Sequence, residues 1–250
     1  MNGRYGDVSG RRVVITGAGR GLGRVLATAF DAAGAQLGLV ARSEPALQEV
    51  ADSLDGDAQV YPGDIRDAEF NETVAKSMVD RLGGVDVWIC NAGVSPEVSP
   101  VLEMEPAAWR EIVDVNLTGT FLGARAGAAV MGPGGRIIVT GSVLGRRPRA
   151  GLAAYAASKS GVEALVQALA LELGPRAVTA NAVALGWFDT GMGAHWHRHA
   201  ERESDIVQHT ALGRWGQSAD LAGIYLFLAS EASAYVTGTT ITVDGGYSLL

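Results

Sequence analysis

The sequence predicts an α/β protein built on a doubly wound parallel sheet with helices on both faces. Three observations carry this. Short β-branched apolar runs alternate with helical-period stretches of roughly ten or more residues along the chain. A glycine-rich turn follows the first run, and Gly17, Asn91, Ser142 and Gly186 each follow the end of a run. Strands alternating with long helices need crossovers, which make the strands parallel and cover the sheet on two sides. Right-handed crossovers then gather the strand C-terminal ends, and those four residues, along one ligand-binding edge.

Residues 12–15 read as the first strand, ending in Thr16-Gly17, and Leu22, Leu26, Ala29, Phe30 and Ala33 then recur at helical spacing up to Gly34. Residues 36–41 form the second strand, 44–53 a helix, 58–61 a strand and 67–82 a long helix. Residues 85–90 are the fourth strand, leading into Asn91-Ala92-Gly93, and 107–130 read as one long helix interrupted at most by Gly119. A strand over 136–140, a helix over 153–173 closed by Gly174-Pro175, and strands over 178–184 and 241–243 complete the alternation. No repeat or low-complexity linker breaks the order, so a single domain over 1–250 is expected. Residues 186–212, between the sixth strand and a last helix over 219–229, are irregular and stand where a lid or substrate loop belongs.

A chain of 250 residues with 48% hydrophobic composition has enough apolar material for a large core. Its 34 glycines follow no fixed period, which excludes collagen and repeat arrays. Acidic residues outnumber basic ones 27 to 20, and a net charge of −7 argues against nucleic-acid and anionic-membrane partners. One cysteine, Cys90, rules out an intrachain disulfide. Residues 1–12 carry no apolar signal core, and no apolar run reaches the about 18 residues of a membrane span. A soluble, cytoplasmic protein is the expectation.

The glycine turn reads T-G-x-x-x-G-x-G at Thr16, Gly17, Gly21 and Gly23, and no register fits G-x-G-x-x-G. Strand, glycine turn and helix together let a phosphate approach free N–H groups at a helix start, with Leu22 beside it. The second strand ends in Ala41, where a carboxylate would grip ribose hydroxyls, and Arg42 follows. A guanidinium pairs with a 2′-phosphate where a carboxylate would repel it, and Arg20 adds a second positive charge. NADP(H) is therefore expected over NAD(H). On the helix over 153–173, Tyr155 and Lys159 stand one turn apart on one face. A fixed cation near a phenol lowers its pKa and suits it to general acid–base work.

These residues, with Asp64, Asn91-Ala92-Gly93, Asn116, Ser142, Tyr235-Val236-Thr237-Gly238 and Val243-Asp244-Gly245-Gly246, resemble the short-chain dehydrogenase/reductase family over essentially the whole chain. The similarity extends to its 3-oxoacyl-carrier-protein reductases and gluconate or polyol dehydrogenases. The resemblance implies a seven-stranded Rossmann-type sheet and a hydride-transfer site of Asn116, Ser142, Tyr155 and Lys159. Tyr155 would give or take the proton, Lys159 would lower its pKa and hold the nicotinamide ribose, Ser142 would bond the substrate oxygen, and Asn116 would fix a proton-relaying water. Asp64, with Ile65, would meet the adenine, and Asn91, Ala92 and Gly93 would sit by the adenosine ribose. Gly186, Phe188 and Thr190 would border the pyrophosphate or carboxamide. Family members usually carry Pro-Gly where this chain has Leu185-Gly186, which should leave that turn freer.

The expected activity is an NADPH-dependent carbonyl reductase, reversibly an alcohol dehydrogenase, acting on a ketone or secondary alcohol as a homotetramer. One alternative is a reductase of 3-oxoacyl thioesters on a carrier protein, with Arg146, Arg147 and Arg149 as a basic docking patch. A non-catalytic dinucleotide-binding scaffold is the other. His195, His197 and His199 have helix-face spacing for a metal, but no neighbouring acid or cysteine completes a set, and none is expected to bind. Trp187, Phe188 and Trp196 should shape an apolar pocket wall, whereas Trp88 and Trp109 are expected in the core.

Overall fold

The strands are β1 (Arg12–Thr16), β2 (Gln36–Ala41), β3 (Ala58–Pro62), β4 (Val87–Cys90), β5 (Arg136–Ser142), β6 (Thr179–Leu185) and β7 (Thr240–Val243). In the computed structural model of the chain, the described residues are 6–95, 98–190 and 200–250, side chains excepted at 200–202. All seven strands pair in parallel, in the order β3-β2-β1-β4-β5-β6-β7. The expected seven-stranded doubly wound sheet is the one observed. Its strand order reverses between β1 and β4, and a crevice opens outside the C-terminal ends of such a pair.

The helices lie on both faces. On one face α1 (Gly21–Ala32), α2 (Glu44–Ala51) and a late helix (Ser218–Ala229) pack Leu26, Phe30, Leu47, Leu221 and Tyr225 onto Ile15, Leu39 and Ile89. On the other, α3 (Ala68–Leu82), α5 (Gly119–Val130) and α6 (Ala153–Leu173) pack Val74, Met78, Ala124, Val162 and Val166 onto Val14, Trp88 and Val139. The central strands are apolar on both sides because both sides are covered. α3 starts at Asp67, which accepts from the N–H groups of Glu69 and Phe70, and stops at Gly83, whose φ of 83° is the left-handed stop glycine adopts readily.

Three expectations change. The segment read as one helix over 107–130 is α4 (Pro106–Val113), a π-helical turn (Asp114–Thr118) and α5. The interruption centres on Asn116; Gly119 instead packs closely on Ile65, whose Cδ1 would lie 2.6 Å from a Cβ there. Trp88 is fully buried, but Trp109 is 41% exposed on the outer side of α4, because the inner side is taken by Ile112. The segment over 186–212 is not irregular throughout: α7 (Ala200–Gln208) is helical, and the Ser218–Ala229 helix, α8, follows it. His195, Trp196, His197 and His199 lie outside the described residues. Among the described residues, no helix is long and apolar enough to cross a membrane.

Candidate active site

A cleft of about 770 Å³ runs along the C-terminal edge of the sheet, over the β1–β4 crevice and on to β5 and β6. Gly17, Gly19, Gly21 and Gly23 line its β1 end. Gly17 sits at φ +70°, and a Cβ there would lie 2.8 Å from Ala92 Cα; a Cβ on Gly23 would lie 2.1 Å from the Gly17 oxygen. Only glycine lets the turn and the end of β4 lie this close. Thr16 ties them together: its hydroxyl accepts from the N–H groups of Asn91 and Ala92, both at 3.0 Å, and donates to Ile89 O at 3.2 Å. Asn91 Nδ2 donates to Thr16 O at 2.9 Å. α1 opens here with no side-chain cap, since Arg20 is extended and makes none. Its first N–H groups are therefore left for an anion.

At the β2 end, Arg20, Arg42, Ser43, Asp64 and Ile65 line the cleft. Arg20 and Arg42 are exposed and form no salt bridge among the described residues. The Asp64 carboxylate is gripped by Arg66, at 2.6 Å from Nη2 and 3.0 Å from Nε, and this bond holds it below the usual carboxylate range. The carboxylate expected to meet adenine is thus already paired within its own loop.

At the β5 end the polar groups are buried. Ser142 is 6% exposed, Tyr155 9% and Lys159 3%. α6 carries Tyr155 and Lys159 across the end of β5, and Lys159 Nζ donates to Thr140 O at 2.8 Å and lies 5.7 Å from the Tyr155 ring centroid. Burial lowers the Lys159 pKa to about 8. Burial also raises the Tyr155 phenol above its ordinary value, and the hydrogen bond with Ser142 pulls it partly back. The expected lowering of Tyr155 by Lys159 is not seen in this state. The ammonium is turned to the strand carbonyl, and loss of water around the phenol outweighs its attraction. Cys90 beneath them is an inert thiol, pushed up to about 12 by burial.

Of the expected site residues, Gly17, Arg20, Gly21, Leu22, Gly23, Arg42, Asp64, Ile65, Asn91, Ala92, Gly93, Ser142, Tyr155, Lys159, Gly186, Phe188 and Thr190 all line the cleft. Asn116 does not. Its Oδ1 accepts from Val94 N–H at 2.8 Å, and its Nδ2 donates to Val94 O at 2.9 Å and to Ser158 Oγ at 3.2 Å. The π-helical turn swings this amide inward, where it clamps the loop leaving β4. Thr140 is the functional residue that sequence reasoning missed. Besides holding Lys159 it bonds Tyr225 Oη at 2.8 Å and Asn91 Oδ1 at 3.3 Å. Its spacing from Ser142, two residues along one strand, was the available signal.

The turn after β6 is pinned, contrary to the expected slack. Leu185 is buried and continues the ladder opposite Val243, and Gly186 N–H donates to Val243 O at 2.9 Å. Asp189 N–H and Gly216 N–H then bond Gly216 O and Trp187 O at 3.0 and 2.9 Å. Leucine serves here as core, which proline could not do without losing a strand donor. Trp187 packs edge-on against Trp215 and Tyr247, with centroids 5.9 and 6.0 Å apart, and Arg149 lies 5.5 Å over its ring.

A dinucleotide suits these residues: Gly17, Gly21 and Gly23 line the cleft, an uncapped helix start faces it, and the buried Thr190 hydroxyl has no hydrogen-bond partner among the described residues. Fold and cleft define an oxidoreductase of the nicotinamide-dinucleotide class. The chain belongs to the short-chain dehydrogenase/reductase family, and a family model described as enoyl-(acyl carrier protein) reductase matches residues 17–248. It is 34% identical to the 3-oxoacyl-[acyl-carrier-protein] reductase of Vibrio cholerae over 98% of this chain and 100% of that protein. It is 36% identical to a galactitol 2-dehydrogenase (L-tagatose-forming) of Cereibacter sphaeroides over 97% of this chain and 96% of that protein. A solved structure, a provisionally assigned NAD(P)-dependent gluconate 5-dehydrogenase from Beutenbergia cavernae with NADP at low occupancy, superposes with a TM-score of 0.91 at 35% identity, covering 99% of this chain and 100% of that one. The family's oxidoreductases act on CH–OH groups.

Proposed function

We propose that the protein is an NADPH-dependent carbonyl reductase, working reversibly on a ketone and its secondary alcohol. The observation that carries the reading is the buried Ser142, Tyr155 and Lys159 set at the β5 end of a cleft whose other end holds two uncommitted arginines. Gly17, Gly21 and Gly23 with the start of α1 would hold the pyrophosphate, and Arg20 and Arg42 the 2′-phosphate. Bound nicotinamide supplies or accepts the hydride. Tyr155 Oη gives the proton to the substrate oxygen in reduction and takes it in oxidation, and Ser142 orients that oxygen. Lys159, held by Thr140 O, places positive charge behind the phenol, and Asn116 acts as a positioning residue through Val94.

The Vibrio relative is a carrier-protein reductase, so a 3-oxoacyl thioester is the second reading. The proposed docking arginines speak against it. Arg146 bonds Glu163, Arg147 donates to Tyr247 O at 2.7 Å and lies over that ring, and Arg149 pairs with Asp205. They are committed inside the chain. Cytoplasmic operation and a homotetramer belong to the same proposal; exposed Trp109, Phe121 and Leu171 on α4, α5 and α6 support self-association, which light scattering would test. The decisive assay compares NADPH oxidation over a ketone panel in wild type and Tyr155→Phe. Retained turnover in the variant would remove Tyr155 from the chemistry.

A further inference from the structure

A second cavity of about 500 Å³ adjoins the cleft, and Val94 and Ser95 line both. Its apolar wall is Val94, Met104 and Ile112, residues of the same packed cluster as Leu152 and Tyr155. Tyr155 and this wall are thus parts of one continuous apolar surface. Glu103, Glu105 and Glu111, all exposed, stand at the rim, and no lysine or arginine lines the cavity among the described residues. Arg66, whose charge reaches Glu111, is already held by Asp64. Trp187, packed on the same cluster, walls the cleft as well, and Trp215, Tyr247 and Arg149 fix it in place. Past Val94 this second cavity offers room for a substituent on the substrate carbonyl.

We propose that this second cavity receives an uncharged, apolar substituent, so that the enzyme selects bulky neutral ketones over sugar acids and over acyl groups borne on an acidic carrier. The inference rests on the carbonyl-reductase reading above. The apolar wall gains from each methylene removed from water, while the rim repels a carboxylate entering beside three like charges. Val94, which lines both cavities, is held by Asn116 at its N–H and its C=O, so the boundary they share has a defined position.

The test is steady-state NADPH oxidation with three probes: cyclopentanone as the compact reference, methyl pentyl ketone, and a methyl ketone of equal length ending in a carboxylate. Wild type is expected to show kcat/KM at least about tenfold higher for the apolar ketone than for the acid, the scale of one or two well-packed methylenes. Glu103→Lys with Glu105→Lys, at exposed positions, should cut that ratio by about tenfold, chiefly through a lower KM for the acid. Met104→Asp should cut it from the other side, by raising KM for the apolar ketone. A wild-type ratio near one, or a ratio untouched by the double charge reversal, overturns the subsite while reduction of cyclopentanone leaves the carbonyl-reductase reading standing. No turnover of any probe, cyclopentanone included, overturns both.

Discussion

At the β5 end of the cleft the polar side chains are buried and held, Lys159 by Thr140 and Tyr155 by Ser142, and outside the cleft Asn116 is held by Val94 and Ser158. At the β2 end Arg20 and Arg42 stand in solvent with no ion pair among the described residues, and only Asp64 is paired. The two ends obey different electrostatics. Buried groups interact in a low dielectric and hold their geometry through packing, so a small change there has a large effect. Exposed arginines act through water and salt, so they select between cofactors without fixing atoms to a fraction of an ångström.

The strongest break in that contrast is Tyr155→Phe. It should lower kcat about a hundred- to ten-thousand-fold, the range of positioned proton transfer, while NADPH binding by fluorescence titration stays near wild type. Asn116→Ala comes next. It leaves Val94 N–H and C=O without their partner, so a loss of about 1–3 kcal/mol in urea unfolding is expected, with a fall in kcat. Arg42→Ala tests the solvated end. It should raise KM for NADPH roughly fivefold, about 1 kcal/mol, with little change for NADH. Added salt should weaken NADPH more than NADH for the same reason, and a wild type that strongly prefers NADH would refute the cofactor assignment.

The smallest effect is on stability with pH. Lys159 has a folded pKa near 8 against an ordinary 10.5, so between those values the unfolded chain binds more protons and stability rises with pH. Tyr155, raised above its ordinary 10.0, acts oppositely: its contribution is present below that value and is lost as pH climbs through the folded pKa. Urea midpoints should therefore increase from pH 8 toward pH 10 and flatten in Lys159→Met. In turnover, reduction needs the protonated phenol and falls with rising pH, whereas oxidation rises with it.

Local rules were enough for much of this protein. Short β-branched apolar runs, helical stretches and the glycines at 17, 21 and 23 determined a doubly wound parallel sheet and the place of its cleft, because each depends on a few neighbouring residues. The arginines after Ser142 could be read as a docking patch because their partners Glu163, Asp205 and Tyr247 are 17, 56 and 100 residues away. Trp109 could be placed in the core because a large aromatic side chain is usually buried, yet Ile112 takes the inner side of its helix. Tertiary structure alone decided that Asn116 clamps Val94, that Leu185 is core, and that Lys159 faces a strand carbonyl with its phenol raised by burial. Those outcomes depend on which distant groups share a water-free space, and a short window of sequence carries no record of that.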